Sequence, residues 1–173
     1  MFSLLFDFWN YLVEHPLLAV GLMFMLRNYF QSQQPFPTVD YGHVSSVVSK
    51  ADFTKITKQE NSTEKEGGEQ PDHVLTIVDF YAVWCPPCKA AVPLYAKMSE
   101  DYYQKGVQFF KCDVEKSREI SSQEGISAMP TFKVYRGGEC VETIRGLSEA
   151  KIRAALDKAL AEKTAASNEV STE

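Results

Sequence analysis

The sequence predicts an α/β domain in which helices flank a central mixed β-sheet, with a hydrophobic helix in front of it. Two observations predict this class. A chain of 173 residues with 45% hydrophobic and 24% charged side chains suffices for one globular domain with a sizeable core. From residue 44 onward, strand-like apolar runs alternate with helix-spaced ones, and the order reads β-α-β-α-β-α-β-β-α.

Each element follows from a local pattern. Residues 44–57 predict a short strand, a turn and a short helix. The apolar run HVLTIVDFYAV, which starts at residue 73, indicates a strand covered on both faces, and the helically spaced CKAAVPLYAKMSEDYYQKG ends at Gly106. VQFFKCDV predicts a second buried strand, and SREISSQEG a short helix. Two strand runs joined at residues 136–139 predict a hairpin, and Ser148 is placed to cap the last, amphipathic helix.

The first thirty residues predict a membrane anchor. Residues 11–30 form a segment with aromatic ends around the unbroken apolar run PLLAVGLMFML, as in a membrane-spanning helix. The alternatives are an amphipathic surface helix, a docking helix and a cleaved signal peptide; the last fits poorly because no Lys or Arg precedes the run. Arg27 follows the run, so the positive-inside rule puts the domain in the cytosol, with a lumenal or mitochondrial location as the alternative.

Composition shifts predict the organisation of the chain. Its expected parts are a hydrophobic helix at 1–30, a linker at 31–43, the domain at 44–160 and a disordered tail at 161–173. Within the domain, the polar, charged and glycine-containing residues 58–72 predict a mobile loop. This loop holds the sequon Asn61-Ser62-Thr63, which matters only in a lumenal location. The net charge of −5 gives no indication of nucleic-acid binding.

Cys85 and Cys88 carry the strongest chemical signal, because they stand where a strand gives way to a helix. At that junction the first sulfur lies near unpaired N–H groups and the positive end of the helix dipole. Both favour thiolate, which is the nucleophile in disulfide exchange. The second sulfur lies one turn along, close enough to attack a mixed disulfide. Pro86 and Pro87 fall in the first turn, where a helix has N–H groups with no partner to lose, and they stiffen the loop.

Other interpretations of the cysteine pair are a zinc site, a structural disulfide and accidental spacing. Zinc sites usually need four ligands; here the further partners would have to be His73, Cys112 or Cys140, and no second close pair exists. Four cysteines are also too few, and lie too late in the chain, for a disulfide scaffold. We therefore expect no metal, and we expect Cys112, in mid-strand, to be a core residue.

The stretch WCPPCK, at 84–89, resembles the active site of the thioredoxin family, and the resemblance covers about residues 44–160. Further matching motifs appear in the same order: VDFYA with Asp79, Pro93, KCDV with Lys111, Met129-Pro130-Thr131, Gly137-Gly138 and Gly146. Two features depart from the family: Pro86 replaces the usual glycine, and the loop at 58–72 is longer than expected. The resemblance implies a thioredoxin fold.

The resemblance also implies roles in catalysis. Cys85 would be the attacking thiol and Cys88 the buried resolving thiol, with Asp79 as a buried carboxylate beneath them. A buried carboxylate has a raised pKa and is able to take or return the proton of Cys88. Lys111 either pairs with Asp79 or is an ordinary solvated lysine.

A docking surface for substrate is implied as well. Pro130 resembles a cis-proline that faces the cysteines and turns the Met129 backbone toward an extended peptide. Trp84 would shield the sulfurs, unless it is a core tryptophan, and Gly146 would leave room for substrate backbone. The expected substrate-binding residues are Trp84, Pro86, Pro87, Met129, Pro130 and Gly146.

The expected function is the reduction of disulfides in client proteins. The resemblance implies that an NADPH-dependent thioredoxin reductase recharges the cysteine pair. The chain has no G-x-G-x-x-G motif, so we expect no cofactor beyond a redox-active Cys85–Cys88 disulfide. The alternatives are a lumenal thiol oxidase or isomerase of the transmembrane thioredoxin-related type, and a structural thioredoxin-fold subunit of a membrane complex.

Overall fold

The structure, a computed structural model, describes residues 11, 13–33, 35–37, 42–58 and 75–170. The chain divides into two units between Phe36 and Pro37. The first contains helix α1 (Pro16–Gln33). The second contains, in order, β1 (Val44–Ser46), α2 (Lys50–Lys58), β2 (Leu75–Tyr81), α3 (Pro86–Tyr103), β3 (Val107–Asp113), α4 (Arg118–Gln123), β4 (Thr131–Arg136), β5 (Glu139–Arg145) and α5 (Glu149–Val170).

The described strands form one mixed sheet with the order β1-β3-β2-β4-β5. Strands β1, β3 and β2 pair in parallel, whereas β4 is antiparallel to both β2 and β5. The central strand β2 is buried along almost its whole length, as expected from its continuous apolar run. The prediction of an α/β fold with a mixed sheet flanked by helices is confirmed.

The alternating side chains of β2 build a core on each face of the sheet. Ile77 belongs to a cluster that includes Tyr95 of α3 and Leu156 of α5. Its neighbour Val78 belongs to a second cluster, on the other face, with Phe53 of α2. Both sheet faces are therefore covered by helices, and the end of β2 leads directly into the cysteine motif.

The predicted membrane anchor is wrong. Within the described parts of the chain, no helix is long and apolar enough to cross a membrane. Helix α1 has 18 residues, which span about 27 Å at 1.5 Å per residue, against a bilayer core of about 30 Å. Its apolar run stops at Leu26, and the polar sequence RNYFQSQ completes the helix. This corrects the assignment of residues 11–30 to a membrane and the localisation on a membrane that followed from it.

Three predicted boundaries differ from the structure or lie beyond it. Helix α1 continues to Gln33, past the expected start of the linker at residue 31. Helix α5 continues to Val170, through most of the segment expected to be a disordered tail, because its alanines, lysines and glutamates are good helix formers. Residues 59–74 are outside the described residues, so the mobile loop at 58–72 stays a prediction.

Candidate active site

Cys85 and Cys88 lie at the start of α3 and are joined by a disulfide. Cys85 is the N-cap residue, and Pro86 and Pro87 are the first two residues of the helix. Because prolines have no N–H, the N–H of Cys88 is the first donor of the helix, and it points at the Cys85 Sγ atom at 3.3 Å. The bond between the two sulfurs fits a Cys-x-x-Cys redox site.

The cysteine sulfurs are almost closed off from solvent. Cys85 is 3% exposed and Cys88 is fully buried. Their cluster contains Ala82, and Tyr81, Val114 and Met129 pack against it. Tyr81 and Val114 were not predicted for this site; the available signal was that Tyr81 ends β2 and Val114 directly follows β3, beside the motif. The N–H of Val114 donates to the Tyr81 carbonyl at 3.0 Å and holds these two strand ends together.

The loop before β4 faces the cysteines through Met129, and the Met129–Pro130 peptide bond is cis, as expected. Pro130 is buried, and its carbonyl accepts a 2.8 Å hydrogen bond from the N–H of Gly146. The Thr131 hydroxyl donates to the Ala128 carbonyl at 2.8 Å and fastens the other side of the loop. The loop and the end of β5 therefore form one continuous backbone surface beside the cysteines.

Gly146 has a backbone conformation that favours glycine. Its φ is +79°, and a Cβ atom added there would have no heavy atom within 4 Å. The space above this residue is therefore open.

Trp84 is not a core tryptophan, because 54% of it is exposed. Its neighbour Val83 is also exposed, as is Pro87, whereas Pro86 is half-buried. An exposed apolar rim next to buried sulfurs is suited to contact with another polypeptide. The six residues expected to bind substrate thus lie in the cysteine motif, in the loop before β4 and just after β5.

Asp79 lies on β2, two residues after Ile77 and two residues before Tyr81. Ile77 packs in the same cluster as Tyr95 of α3, and Tyr81 packs against the cysteines. Because side chains alternate along a strand, Asp79 shares their face and lies under the first turns of α3. It is 5% exposed, and its Oδ1 atom has no hydrogen-bond partner among the described residues. Burial raises the pKa of this carboxyl to about 8, and the charge of Lys111 partly opposes that effect.

Lys111 is the residue of β3 directly beside Asp79 in the parallel pairing. It is half-buried. Burial lowers the pKa of its ammonium group, and the nearby Asp79 carboxylate acts in the opposite direction. The side chain is thus neither fully solvated nor remote from Asp79, although its role in catalysis stays a prediction.

The remaining cysteines are separate from this site. Cys112 is a buried residue of β3, and Cys140 is an exposed residue of β5. Burial is the main cause that raises the pKa of the Cys112 thiol to about 11. At neutral pH this thiol therefore has little thiolate and no access to solvent.

Together, the helix-capping cysteine, the buried second cysteine and the exposed apolar rim define a thiol-disulfide oxidoreductase site. The family model described as Thioredoxin matches residues 46–158. The chain belongs to the thioredoxin family.

Relatives agree with this assignment. The chain is 36% identical to "Thioredoxin 1" of Plasmodium falciparum over 115 residues, which cover 66% of this chain and 96% of the relative. It is 42% identical to "Thioredoxin-1" of Schizosaccharomyces pombe over 82 residues, covering 47% and 78% of the two chains.

Solved structures show the same likeness. The crystal structure of thioredoxin NaTrxh from Nicotiana alata superimposes with a TM-score of 0.58 at 28% identity, covering 70% of this chain and 96% of that one. The solution structure of oxidised Plasmodium falciparum thioredoxin gives a TM-score of 0.54 at 35% identity, with coverages of 66% and 96%.

The family assignment settles the class of activity. The chain is a thioredoxin-type thiol-disulfide oxidoreductase, and the enzyme class is protein-disulfide reductase. The comparisons do not support the membrane-related alternatives of a lumenal oxidase or isomerase and a subunit of a membrane complex.

Proposed function

We propose that this chain reduces disulfides in client proteins, with Cys85 as the attacking thiol and Cys88 as the resolving thiol. The observation that carries the proposal is the position of Cys85 at the N-cap of α3, where the Cys88 N–H points at its sulfur at 3.3 Å. A hydrogen bond of this kind and the helix dipole both stabilise a thiolate. Cys85 is therefore the nucleophile of the reduced enzyme.

The reaction proceeds by two exchanges. The Cys85 thiolate attacks one sulfur of the client disulfide, a bond forms between them, and the other client sulfur leaves as a thiolate. The Cys88 thiolate then attacks the Cys85 sulfur, which forms the Cys85–Cys88 disulfide and releases the second client thiolate. Both client thiolates take up protons. The client gains two electrons, and the cysteine pair loses them.

Asp79 accepts the proton of Cys88 in this scheme. Its position under the first turns of α3 supports the assignment, as does its raised pKa of about 8, because a carboxylate with that pKa is basic enough to take a thiol proton. Once the disulfide has formed, Asp79 holds the proton as a neutral buried acid. Lys111, beside it on β3, stabilises the ionised form that exists before the proton is taken.

Client backbone docks against Met129 and Pro130 and passes over Gly146, while Trp84, Pro86 and Pro87 contact the client on the other side of the sulfurs. The open space above Gly146 and the exposure of Trp84 support this arrangement. Clients of this enzyme are proteins with accessible disulfides. A thioredoxin reductase returns two electrons to the cysteine pair, and no bound cofactor takes part in the exchange.

The proposal is tested with two cysteine variants and a peptide that contains one disulfide. Cys88→Ser should accumulate a mixed disulfide between Cys85 and the peptide, detected as an adduct by mass spectrometry without reductant. Cys85→Ser should form no adduct under the same conditions. An adduct on Cys88 in the Cys85→Ser variant, at the rate seen for Cys85, would reverse the assigned roles. Steady turnover with NADPH and a thioredoxin reductase tests the electron supply separately.

A further inference from the structure

A groove runs along the outer side of β5, beside α5, and we name it the basic groove. It has a volume of about 410 Å³ and is lined by residues 142–145 of β5 together with Lys151, Ala154, Ala155 and Lys158 of α5. Among the described strands, β5 pairs only with β4, so it lies at one edge of the sheet. An edge strand has backbone N–H and C=O groups available for pairing with an extended peptide.

The α5 side of the basic groove has a regular pattern. Lys151, Ala154, Ala155 and Lys158 are spaced i, i+3, i+4 and i+7, so they form one stripe along the helix. A neighbouring stripe, with Ile152 and Leu156, is buried in the core. The two alanines leave a low floor between two exposed lysines whose Cα atoms are about 10 Å apart along the helix axis.

The charges in the basic groove are unbalanced. Its α5 side carries two cations, Lys151 and Lys158, a third cation, Arg145, lines it from the end of β5, and Glu142 is the one carboxylate among the lining residues. None of these cations makes an ion pair within the part of the chain that the structure describes, whereas Arg153, on the same helix, binds two carboxylates. The whole chain has a net charge of −5, so this positive surface is a local feature and not a reflection of composition.

The basic groove begins at the rim of the active site. Arg145 directly precedes Gly146, whose N–H binds the Pro130 carbonyl. Helix α5 starts three residues after Gly146 and runs back toward the other end of the sheet, where Arg136 of β4 contacts Glu162 at 3.4 Å. Lys151 is therefore near the active site, and Lys158 lies two turns farther away.

We propose that the basic groove binds an extended acidic segment of the client protein, close in sequence to the disulfide that is reduced. The client backbone pairs with the free edge of β5, and its Asp or Glu side chains contact Lys151 and Lys158. An acidic occupant is chosen because the groove is positively charged. Because the groove begins beside Gly146, the acidic segment belongs to the same polypeptide as the reacting disulfide. The inference rests on the proposed function, because it names the kind of client that this active site prefers.

The test compares disulfide peptides in two pairs, and the members of each pair differ only in charge. Each has one disulfide and a six-residue tail of alternating Val and either Glu or Gln, placed after the disulfide in one pair and before it in a second pair. The measured quantity is the ratio of kcat/KM for the Glu peptide to that for the Gln peptide. We expect a ratio of about five in low salt, as two exposed ion pairs would give, for at least one tail position. The ratio should fall toward one at about 0.5 M salt.

Matched variants test whether the ratio of kcat/KM values depends on the basic groove. Lys151→Glu/Lys158→Glu should bring it to one or below, whereas Lys151→Arg/Lys158→Arg should keep it. The control Lys55→Glu/Lys97→Glu makes the same change in net charge at exposed lysines outside the groove, and it should keep the ratio as well.

A ratio of one for both tail positions in the unmodified chain would overturn the inference, as would an equal loss in the control variant. Self-association of the chain that blocks the Glu peptide would also overturn it, because the groove would then hold a second copy. Failure to reduce either peptide would instead refute the proposed function, so the two failures are distinguishable.

Discussion

The N–H of Gly146 donates a 2.8 Å hydrogen bond to the carbonyl oxygen of Pro130. This bond connects the loop that precedes β4 to the residue that follows β5, so two neighbouring strand ends are held in fixed relation. Nothing lies within 4 Å of the place where a Cβ atom of Gly146 would stand. The hydrogen bond therefore positions a backbone surface whose outer side is left clear.

Gly146→Ala should weaken client binding more than it weakens the fold. A residue with a side chain at φ +79° costs about 1 kcal/mol of folding free energy, and here the methyl group meets no neighbour. It would instead stand in the space assigned to the client backbone. We expect a rise in KM of about tenfold, measured with a disulfide peptide, beside a small loss in urea denaturation.

Gly125→Ala is the matched control for this substitution. Gly125 also has a positive φ, of +64°, and has no atom within 4 Å of an added Cβ, but it lies after α4, in none of the segments assigned to the site. It should show the same loss of stability with an unchanged KM. Equal effects of the two variants on KM would refute the docking role of Gly146.

Asp79 should make the oxidised protein less stable as the pH rises. Its pKa is about 8 in the folded state against a usual 3.8, so below pH 3.8 both states hold the proton and there is no penalty. Between pH 3.8 and about 8, the Asp79 carboxyl is ionised in the unfolded chain but protonated in the folded chain. The free energy of unfolding therefore falls until the pH passes about 8. The penalty reaches at most about 6 kcal/mol.

Asp79→Asn should remove this penalty. In urea denaturation of the oxidised forms, the variant should match the parent near pH 4 and exceed its free energy of unfolding by several kcal/mol at pH 8. A parallel pair of stability curves across this range would contradict a protonated, buried Asp79.

The two free thiols should differ sharply in reactivity. In the oxidised protein, iodoacetamide should label the exposed Cys140 at neutral pH and leave the buried Cys112 intact. A rise in pKa from 9.0 to about 11 leaves Cys112 with about a hundredfold less thiolate, apart from its lack of access. Mass spectrometry should count one label in native buffer and two in urea. The Cys140→Ser variant should take no label when native, and labelling of it would show that Cys112 is accessible.

Tyr95→Phe should destabilise the fold by about 1 kcal/mol, because it removes the hydroxyl that lies 3.0 Å from the Ile77 carbonyl and 2.8 Å from the Phe110 carbonyl. Tyr103→Phe is the control. Tyr103 stacks on His43, but its hydroxyl has no hydrogen bond among the described residues. Urea denaturation should show a loss only for Tyr95→Phe, and equal losses would mean that the Tyr95 hydroxyl contributes nothing.

Local patterns account for most of the fold. The continuous apolar run before Cys85 predicted a strand buried on both faces, and β2 is such a strand. The two glycines at 137 and 138 predicted the hairpin, since both have the positive φ that a tight turn requires. Local patterns failed at α1, where aromatic ends and apolar content suggested a membrane span although the apolar run itself was too short.

The candidate site was harder to predict from local patterns, because it joins segments that are distant in sequence. Nothing near Pro130 distinguishes a cis bond, and only the family resemblance indicated it. The Tyr95 hydroxyl bridges two strands, and this contact depends on the β2–β3 register, which no local pattern around Tyr95 indicates. The basic groove was also missed; the signal was the spacing of Lys151 and Lys158, seven residues apart with small residues between them.

The Tyr95 bridge limits how far the cysteine motif is transferable to another scaffold. Its hydroxyl fastens β2 to β3 two residues before Asp79 and one before Lys111, so it fixes the alignment of those two side chains. Grafting residues 84–89 onto a different strand–helix junction would transfer the sulfurs and prolines without the two Tyr95 hydrogen bonds. Such a transplant would lack the buried Asp79 carboxyl that we propose as the proton acceptor. A transfer of the cysteine pair together with its buried carboxyl therefore requires at least β2, β3 and the first three turns of α3.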